Sequence, residues 1–374
     1  MNDVIVVGAG PAGSTTATWL ARRGHRVLLL ERSSFPRDKL CGEFLSADGV
    51  AELEELDVAS LLEGTPRMQQ HRVTTFHHGR RHEILGRLVP DARGISRRRL
   101  DAGLVRAAGE SGVDVREGFR VLRVDEIDDD ARRVVGLSEA GDEAHVARVV
   151  IDASGRLGLQ RHAAPGPARQ LAFQQHFKVA RGDGPVGVEL HSFPGGYLGL
   201  APIEDGRVNA CGLVEARLHA GHVRTAEDLF ALAARCSPDA AERLAGLVPD
   251  GEPRSTVRDP TRARERPGSR WQVGDAASSI APLCGDGMAM ALTGGRLLAE
   301  TVSEVLNGKL RHAEARRRHA RARSSAFRSR LLLGRLLEHC LVRPSWTGPV
   351  LRAGRAWPGL IDALVRGTRG RVIA

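Results

Sequence analysis

The chain has 374 residues, of which 42% are hydrophobic, and a length of this size predicts two lobes with an appendage. No run approaches the roughly 20 apolar residues of a membrane span, and the five scattered cysteines contain no C-x-x-C pair, which argues against a zinc site or a disulfide framework and for a reducing cytoplasm. The net charge of +10 is mostly arginine, is densest over 311–330 and has no aromatic platform beside it, so it indicates a solvated helix face and no nucleic-acid surface.

The first predicted strand, Val4 to Val7, runs into three glycines at G-x-G-x-x-G spacing. Gly8 permits a tight turn, Gly10 lets a pyrophosphate approach the backbone, and Gly13 lets the following helix pack closely. That helix, predicted over 14–23, would offer free N–H groups and a partial positive charge to phosphates.

A second predicted strand, Arg26 to Leu30, ends at Glu31, about 20 residues past the motif, where an acidic side chain can bind ribose hydroxyls. This context predicts a dinucleotide site. Because the first strand begins at Val4, the N-terminus leaves no room for a signal peptide, and we expect a cytoplasmic protein.

The next loop carries Cys41 beside Gly42, ahead of a predicted helix near 47–56. A small polarisable side chain next to a bare backbone suits contact with a flat ring. The alternative is a buried structural cysteine, which composition alone favours.

Four histidines lie on or near a predicted hairpin formed by residues 73–77 and 82–85: His71, His77, His78 and His82. Metal binding is not expected, because the nearest carboxylate, Glu83, would point to the opposite face of the strand from His82. Exposed or substrate-side roles are favoured.

A helix from the N-cap Ser96 to Glu110 is predicted next. A short strand then returns to the first sheet, followed by a three-stranded meander and a turn of small residues that can pass close to a cofactor. These segments are 113–116, then 121–127, 134–138 and 144–150, and finally Ile151 to Gly155.

The middle of the chain predicts an antiparallel sheet that serves as a lid or substrate wall, with strands over 170–179, 186–193, 196–203 and 207–214. Helices over 225–236 and 238–247 and a connector over 253–267 follow. His176, His191 and Tyr197 are candidates for the substrate pocket, or even for catalysis with Cys41, although each is equally readable as an ordinary sheet residue.

A second strong pattern begins where a strand ends at Gly274-Asp275. Asp275 can accept hydrogen bonds from sugar hydroxyls. After Pro282, the segment Gly285 to Met288 opens a helix predicted through Glu300, and its N–H groups suit the negative charge of a reduced flavin. Ordinary turn chemistry is the alternative.

Four motifs therefore stand in order: Gly8-x-Gly10-x-x-Gly13 with Glu31, Arg97-x-x-Leu100-Asp101, Ile151-Asp-Ala-Ser-Gly155, and Gly274-Asp275 with Pro282-x-x-Gly285-x-Gly287. Together they resemble the FAD-dependent oxidoreductases of the glutathione-reductase-type fold. The similarity is greatest to the group of geranylgeranyl reductases, flavin-dependent halogenases and aromatic hydroxylases, and within it to the geranylgeranyl reductase-like branch, because of Cys41-Gly42-Glu43. It covers residues 1 to about 305.

The resemblance implies where FAD would bind. The pyrophosphate would lie on the glycine motif, the adenosine ribose on Glu31, and the isoalloxazine near Cys41 and the Pro282 to Met288 segment. The cofactor-binding residues that it implies are Gly8, Gly10, Pro11, Ala12, Gly13, Glu31, Arg32, Cys41, Gly42, Arg97, Asp275, Pro282, Gly285, Gly287 and Met288.

The resemblance also implies an α/β fold with a Rossmann-like FAD domain, an antiparallel substrate domain and a helical tail. The FAD domain would be discontinuous, over 1–70, 96–158 and 268–310, and the substrate domain would comprise 71–95 and 159–267. The appendage, 311–374, contains apolar segments at 331–341, 346–351 and 360–365, which would pack on the core or contact a membrane surface.

Halogenases of this group carry a catalytic lysine and a Trp-x-Trp-x-Ile-Pro segment. This chain has no lysine between Lys39 and Lys178 and lacks that segment, so halogenation is not expected.

The resemblance implies a monooxygenase that uses reduced flavin and O2 on a lipophilic aromatic or polyketide-like metabolite. The alternatives are a reductase of carbon–carbon double bonds in isoprenoids and a non-enzymatic FAD protein. NADPH or NADH would bind transiently, or a separate reductase or ferredoxin would deliver electrons.

Overall fold

The computed structural model describes residues 1–77, 80–128, 131–156, 159, 170–219, 221–258, 270–342 and 367. Its strands are β1 Asn2–Val7, β2 Val27–Leu30, β3 Phe44–Leu45, β4 Arg67–His77, β5 Arg80–Gly94, β6 Asp114–Arg116, β7 Arg120–Glu126, β8 Arg132–Ser138, β9 Gly141–Asp152, β10 Gln170–Val179, β11 Val188–Phe193, β12 Gly196–Pro202, β13 Arg207–Glu215, β14 Leu247–Pro249, β15 Arg254–Arg258 and β16 Trp271–Gln272. Its helices are α1 Pro11–Arg22, α2 Ala47–Glu55, α3 Arg97–Glu110, α4 Ala216–His219, α5 Ala226–Cys236, α6 Pro238–Ala245, α7 Gly287–Leu306 and α8 His312–Val342. The predicted α/β fold class is confirmed.

The first sheet has the strand order β6-β2-β1-β9-β8-β7, with β16 beside β9. Its β6-β2-β1-β9-β16 part is parallel, and β7, β8 and the first half of β9 form the predicted antiparallel meander. Residues 4–7 and 27–30 are buried on both faces, as expected for central parallel strands covered by helices.

The second sheet has the order β14-β10-β13-β12-β11-β4-β5-β3, with β15 also beside β10. All its pairs are antiparallel except β11 with β4. The β4–β5 hairpin is much longer than predicted, because charged side chains alternate along an edge strand whose exposed face needs no apolar residues. Segments β3 and the start of β4 pair in this sheet, although both fall in the predicted FAD domain.

Helix α1 packs between the first sheet and α7, and α7 in turn contacts α2 and α8. Helix α7 extends six residues beyond the predicted end at Glu300, and α8 joins the predicted helix face at 311–330 and the apolar segment at 331–341 in one helix. Among the described residues, no helix combines the length and apolarity that crossing a membrane requires. His78, most of the connector at 259–267 and the predicted apolar segments at 346–351 and 360–365 lie outside the described residues.

Candidate active site

The three glycines of the first turn meet different surroundings. Gly8 has φ +104°, and a Cβ there would lie 2.5 Å from the Ala153 carbonyl oxygen, while a Cβ on Gly13 would lie 1.8 Å from the Gly8 carbonyl oxygen. A Cβ on Gly10 would meet only an Arg97 nitrogen, 3.7 Å away. Two glycines therefore serve backbone packing, whereas Gly10 borders open space at the start of α1.

Glu31 closes the same turn from the end of β2. The Ala9 N–H donates to Glu31 Oε2 over 2.8 Å, and the Ser33 N–H donates to Oε1 over 3.1 Å. The Arg37 guanidinium lies 3.8 Å from Oε2. Arg32 is exposed. The carboxylate is held in place next to the glycine turn, and ribose binding by this residue stays a prediction.

A cavity of about 210 Å³ lies where the α1 and α7 N-termini face the second sheet. It brings together most of the residues predicted from separate parts of the chain: Gly10, Pro11, Ala12, Cys41, Gly42, Arg97, Tyr197, Asp275, Pro282, Gly285, Gly287 and Met288. Gly8, Gly13, Glu31, Arg32, His176 and His191 are not among its lining residues.

Arg97, at the N-terminus of α3, forms the charged floor of the cavity. Its guanidinium donates to both Asp101 carboxylate oxygens over 2.7 and 2.8 Å, and Arg37 lies 3.3 Å from the same carboxylate. Burial alone would lower the pKa of Arg97, but the Asp101 charge outweighs it and raises that pKa above its ordinary value. Arg97 is therefore a fixed cation.

Lys39 also lines the cavity, and its ammonium would lie 3.7 Å from a Cβ on Gly155. The residue as a whole is exposed to solvent, although protein atoms surround its ammonium group. Burial lowers the pKa of Lys39 to about 8, with further lowering by Arg97 and Arg37. An anion bound beside it would reverse that shift, because opposite charges favour the charged form.

The N-terminus of α7 faces the cavity from the other side. Gly285 has φ +67°, and the helix begins at Gly287 with no acidic side chain in its first turn. Asp286 points away, into an ion pair with Arg330 over 2.8 Å. The helix therefore begins at the cavity, and binding of a negatively charged group by its first N–H groups stays a prediction.

One end of the cavity is lined by apolar side chains, although Arg258 and Glu338 lie near Tyr197 there. Ala172, Leu213 and Tyr197 belong to one buried cluster, against which Leu40 and Leu283 pack. Burial raises the pKa of Tyr197 well above its ordinary value, so the phenol stays neutral. Arg156 and Arg258 also line the cavity, and Arg258 is bound to Gln170 over 2.5 Å and to Glu338 over 2.8 Å.

Two of the predicted pocket histidines lie elsewhere. His176 Nε2 is 2.7 Å from Glu43 Oε2, behind the Cys41 loop. His191 Nδ1 is 3.1 Å from Thr74 Oγ1, and its Nε2 is 3.7 Å from Glu189. Of the three candidates from the second sheet, Tyr197 is the one that lines the cavity.

Several lining residues escaped the sequence reasoning, including Lys39, Ala172, Cys211 and Arg258. Lys39 stands two residues before the Cys41-Gly42-Glu43 motif and could have been found by extending it. The others come from strands whose partners only the pairing of the sheet reveals.

In the described part of the chain, no group of three or more His, Cys, Asp or Glu residues is arranged to hold a metal.

Comparison with known proteins agrees with this geometry. The chain is 31% identical over 320 residues to a menaquinone reductase of Mycobacterium tuberculosis, which covers 80% of this chain and 76% of the relative. It is 30% identical over 328 residues to digeranylgeranylglycerophospholipid reductase 2 of Methanopyrus kandleri, covering 81% and 77%.

Among solved structures, the flavin-dependent brominase Bmp2 matches with a TM-score of 0.81 and 20% identity, over 98% of this chain and 93% of the brominase. At 20% identity, this match shows that the two proteins share a fold and shows nothing about their activity. Residues 1–327 match the family described as FAD binding domain. The chain therefore belongs to the FAD binding domain family, and it is an FAD-dependent oxidoreductase.

Proposed function

We propose that the protein reduces a carbon–carbon double bond, or a conjugated quinone-type system, in a lipophilic isoprenoid-bearing substrate. The observation that carries this proposal is the apolar end of the cavity, formed by Ala172, Leu213 and Tyr197 beside the Cys41 loop. The two reductases named above support it, since their names give lipophilic substrates. This reverses the order in which the sequence alone ranked reduction and hydroxylation.

The residues present fit FAD. A Cβ on Gly10 or Gly287 would meet nothing closer than 3.7 Å or 4.0 Å, and one on Gly42 would meet nothing within 4 Å, so three backbone segments border open space. The N–H groups of α1 would hold the pyrophosphate, Asp275 the ribityl hydroxyls, and the start of α7 the pyrimidine end of the flavin. When bound and reduced by NADPH, NADH or a protein donor, FAD supplies a hydride.

The protein contributes orientation, charge and protons. Arg97 and Lys39 would present positive charge to the anionic parts of the cofactor, and the apolar wall would lie against the substrate. Burial raises the pKa of the Cys41 and Cys211 thiols, so both remain protonated at neutral pH. A thiol or a water molecule would supply the proton that accompanies hydride transfer.

Hydroxylation remains the second candidate, because an apolar wall beside the cofactor would also suit oxygen chemistry. A phenol hydroxylase needs a group that accepts the phenol proton. Among the described lining residues the carboxylates are Glu43 and Asp275, and Glu43 is already bound by the Arg97 N–H and His176. This favours reduction.

The test is a single-turnover experiment. The FAD-loaded protein is reduced with dithionite under anaerobic conditions, mixed with menaquinone or a geranylgeranyl lipid in detergent, and the products are analysed by mass spectrometry. We expect flavin reoxidation coupled to a product heavier by two hydrogens. Flavin reoxidation that requires O2, with a product heavier by one oxygen, would establish the hydroxylase instead.

A further inference from the structure

The segment Cys41-Gly42-Glu43 forms one wall of the cavity and belongs to no helix or strand, and β3 begins at the next residue, Phe44. Glu43 has φ 54°, a left-handed conformation that disfavours a side chain other than glycine or asparagine. Such a backbone persists only where its surroundings hold it. This wall therefore needs contacts that hold its backbone in place.

Two amide side chains from the second sheet hydrogen-bond to the backbone of Cys41, one to its N–H group and one to its carbonyl oxygen. The Cys41 N–H donates to Gln174 Oε1 over 3.2 Å, and Asn209 Nδ2 donates to the Cys41 carbonyl oxygen over 2.9 Å. Gln174 Nε2 closes the ring by donating to Asn209 Oδ1 over 2.9 Å. Gln174 and Asn209 are no more than 1% exposed and lie on neighbouring strands.

Both carboxylate oxygens of Glu43 also have a hydrogen-bond partner. Its Oε1 accepts the Arg97 N–H over 2.9 Å, and its Oε2 lies 2.7 Å from His176 Nε2, with both side chains almost fully buried. His176 faces Asn209 across the β10–β13 pair, so all three sheet residues stand together. Polar side chains at such positions inside a sheet are costly unless each finds a partner.

We propose that Gln174, His176 and Asn209 are positioning residues that fix the Cys41-Gly42-Glu43 wall and thereby the place of the Cys41 thiol beside the flavin. They act through the wall and do not line the cavity themselves. The proposal holds for any FAD-dependent reaction in this cavity and does not depend on whether the substrate is reduced or hydroxylated.

The test compares Gln174→Leu and Asn209→Leu with Gln175→Leu. Gln175 is the next residue of the same strand, points to the other face, and bonds the Gly251 carbonyl oxygen over 3.2 Å, which makes it a matched control for removing a buried glutamine. The rate of Cys41 alkylation by iodoacetamide is followed by peptide mass spectrometry. Cys211 lines the same cavity from within β13 and serves as an internal reference.

We expect Cys41 alkylation to accelerate about 10-fold in the two test variants, because each lost hydrogen bond shifts a local opening equilibrium by about that factor. The rate of Cys211 alkylation in the two test variants should stay within about twofold of wild type. The rate of Cys41 alkylation in Gln175→Leu should do the same. The visible absorption band of bound FAD should shift in the test variants alone, which a purely structural role would not produce.

An unchanged Cys41 rate in both test variants overturns the proposal, as does a parallel rise at Cys41 and Cys211, since the latter means general loosening. If a leucine variant fails to fold, Asn209→Asp replaces it, because the carboxylate still accepts from Gln174 but cannot donate to the Cys41 carbonyl oxygen.

Discussion

Gly10 and Gly13 belong to one turn but have separate physical roles, which two alanine substitutions distinguish. Gly10→Ala adds a Cβ that faces the cavity, so we expect FAD affinity to fall about 10- to 100-fold while the FAD-free protein keeps its stability. Gly13→Ala instead drives a Cβ into the Gly8 carbonyl oxygen and should destabilise the FAD-free protein by about 2 kcal/mol or more. Titration calorimetry and thermal unfolding measure the two effects, and equal unfolding temperatures for both variants would contradict this division.

Lys39 predicts a pH dependence of cofactor binding. Its pKa of about 8, lowered by burial and by Arg97 and Arg37, leaves it charged at pH 7 and mostly neutral at pH 9. Because the charged form attracts an anion, FAD affinity should weaken by up to about 10-fold as the pH rises through 8. Titrations at both pH values measure this, with Lys39→Met as the comparison. If the FAD affinity of Lys39→Met kept the wild-type pH dependence, another group would be responsible.

His319 predicts a pH dependence of stability. The ring is buried near Trp271, and burial, assisted by Arg323, lowers its pKa from 6.5 to about 4. The fold therefore favours the neutral ring, so this contribution is complete above pH 6.5 and is lost as the pH falls toward 4. By pH 5 the loss should reach about 2 kcal/mol. In His319→Phe, which keeps a ring at this position, the drop in unfolding temperature between pH 7 and pH 5 should be smaller than in wild type.

At the scale of elements, α8 is linked to the cavity by the buried Arg330, in addition to the Glu338–Arg258 ion pair. Arg330 lies 2.8 Å from both Asp48 of α2 and Asp286, the residue before α7, and all three side chains are buried. Burial raises the pKa of Asp286 above its ordinary value, although Arg330 opposes this. The helix therefore supports the turn that presents the α7 N–H groups to the cavity.

Replacing Arg330 by Met should leave two buried carboxylates without their cation and cost about 3 to 5 kcal/mol of stability. The exposed Arg328 on the same helix is the matched control, and Arg328→Met should change stability by less than about 0.5 kcal/mol. Thermal unfolding of the FAD-free proteins decides the matter. Similar losses in both variants would mean that the effect is general to α8.

At the scale of the whole molecule, the cavity is lined by elements from both sheets, so a cofactor bound there would hold them together. FAD at 100 times its dissociation constant should raise the free energy of unfolding by about 2.7 kcal/mol. A thermal-shift titration measures this, and Gly10→Ala should need correspondingly more FAD for the same shift. A wild-type unfolding temperature that does not respond to FAD would contradict cofactor binding in this cavity.

The sequence by itself determined the features that arise from neighbouring residues. A strand, a glycine turn and a helix at Val4 to Arg23, the acidic residue that follows, and the Gly285 to Met288 turn depend on local backbone geometry, which short patterns encode. The meander and the antiparallel strands followed from period-2 alternation. Part of the cavity wall could also be named before the fold was known, because the glycine turn, the Cys41 loop and the Gly285 turn each carry a motif.

Arg97 and Asp275 were predicted from motifs, but the polar residues that support the cavity from behind could be identified only from the folded structure. Asn209 and Cys41 lie 168 residues apart, and Glu43 and His176 lie 133 apart, so no local pattern relates them. Arg330 stands in an arginine-rich helix where it looks like its exposed neighbours until Asp48 and Asp286 surround it. The physical reason is that a buried polar group acquires its role from its hydrogen-bond partners, and sheet pairing and helix packing choose those partners across the whole chain.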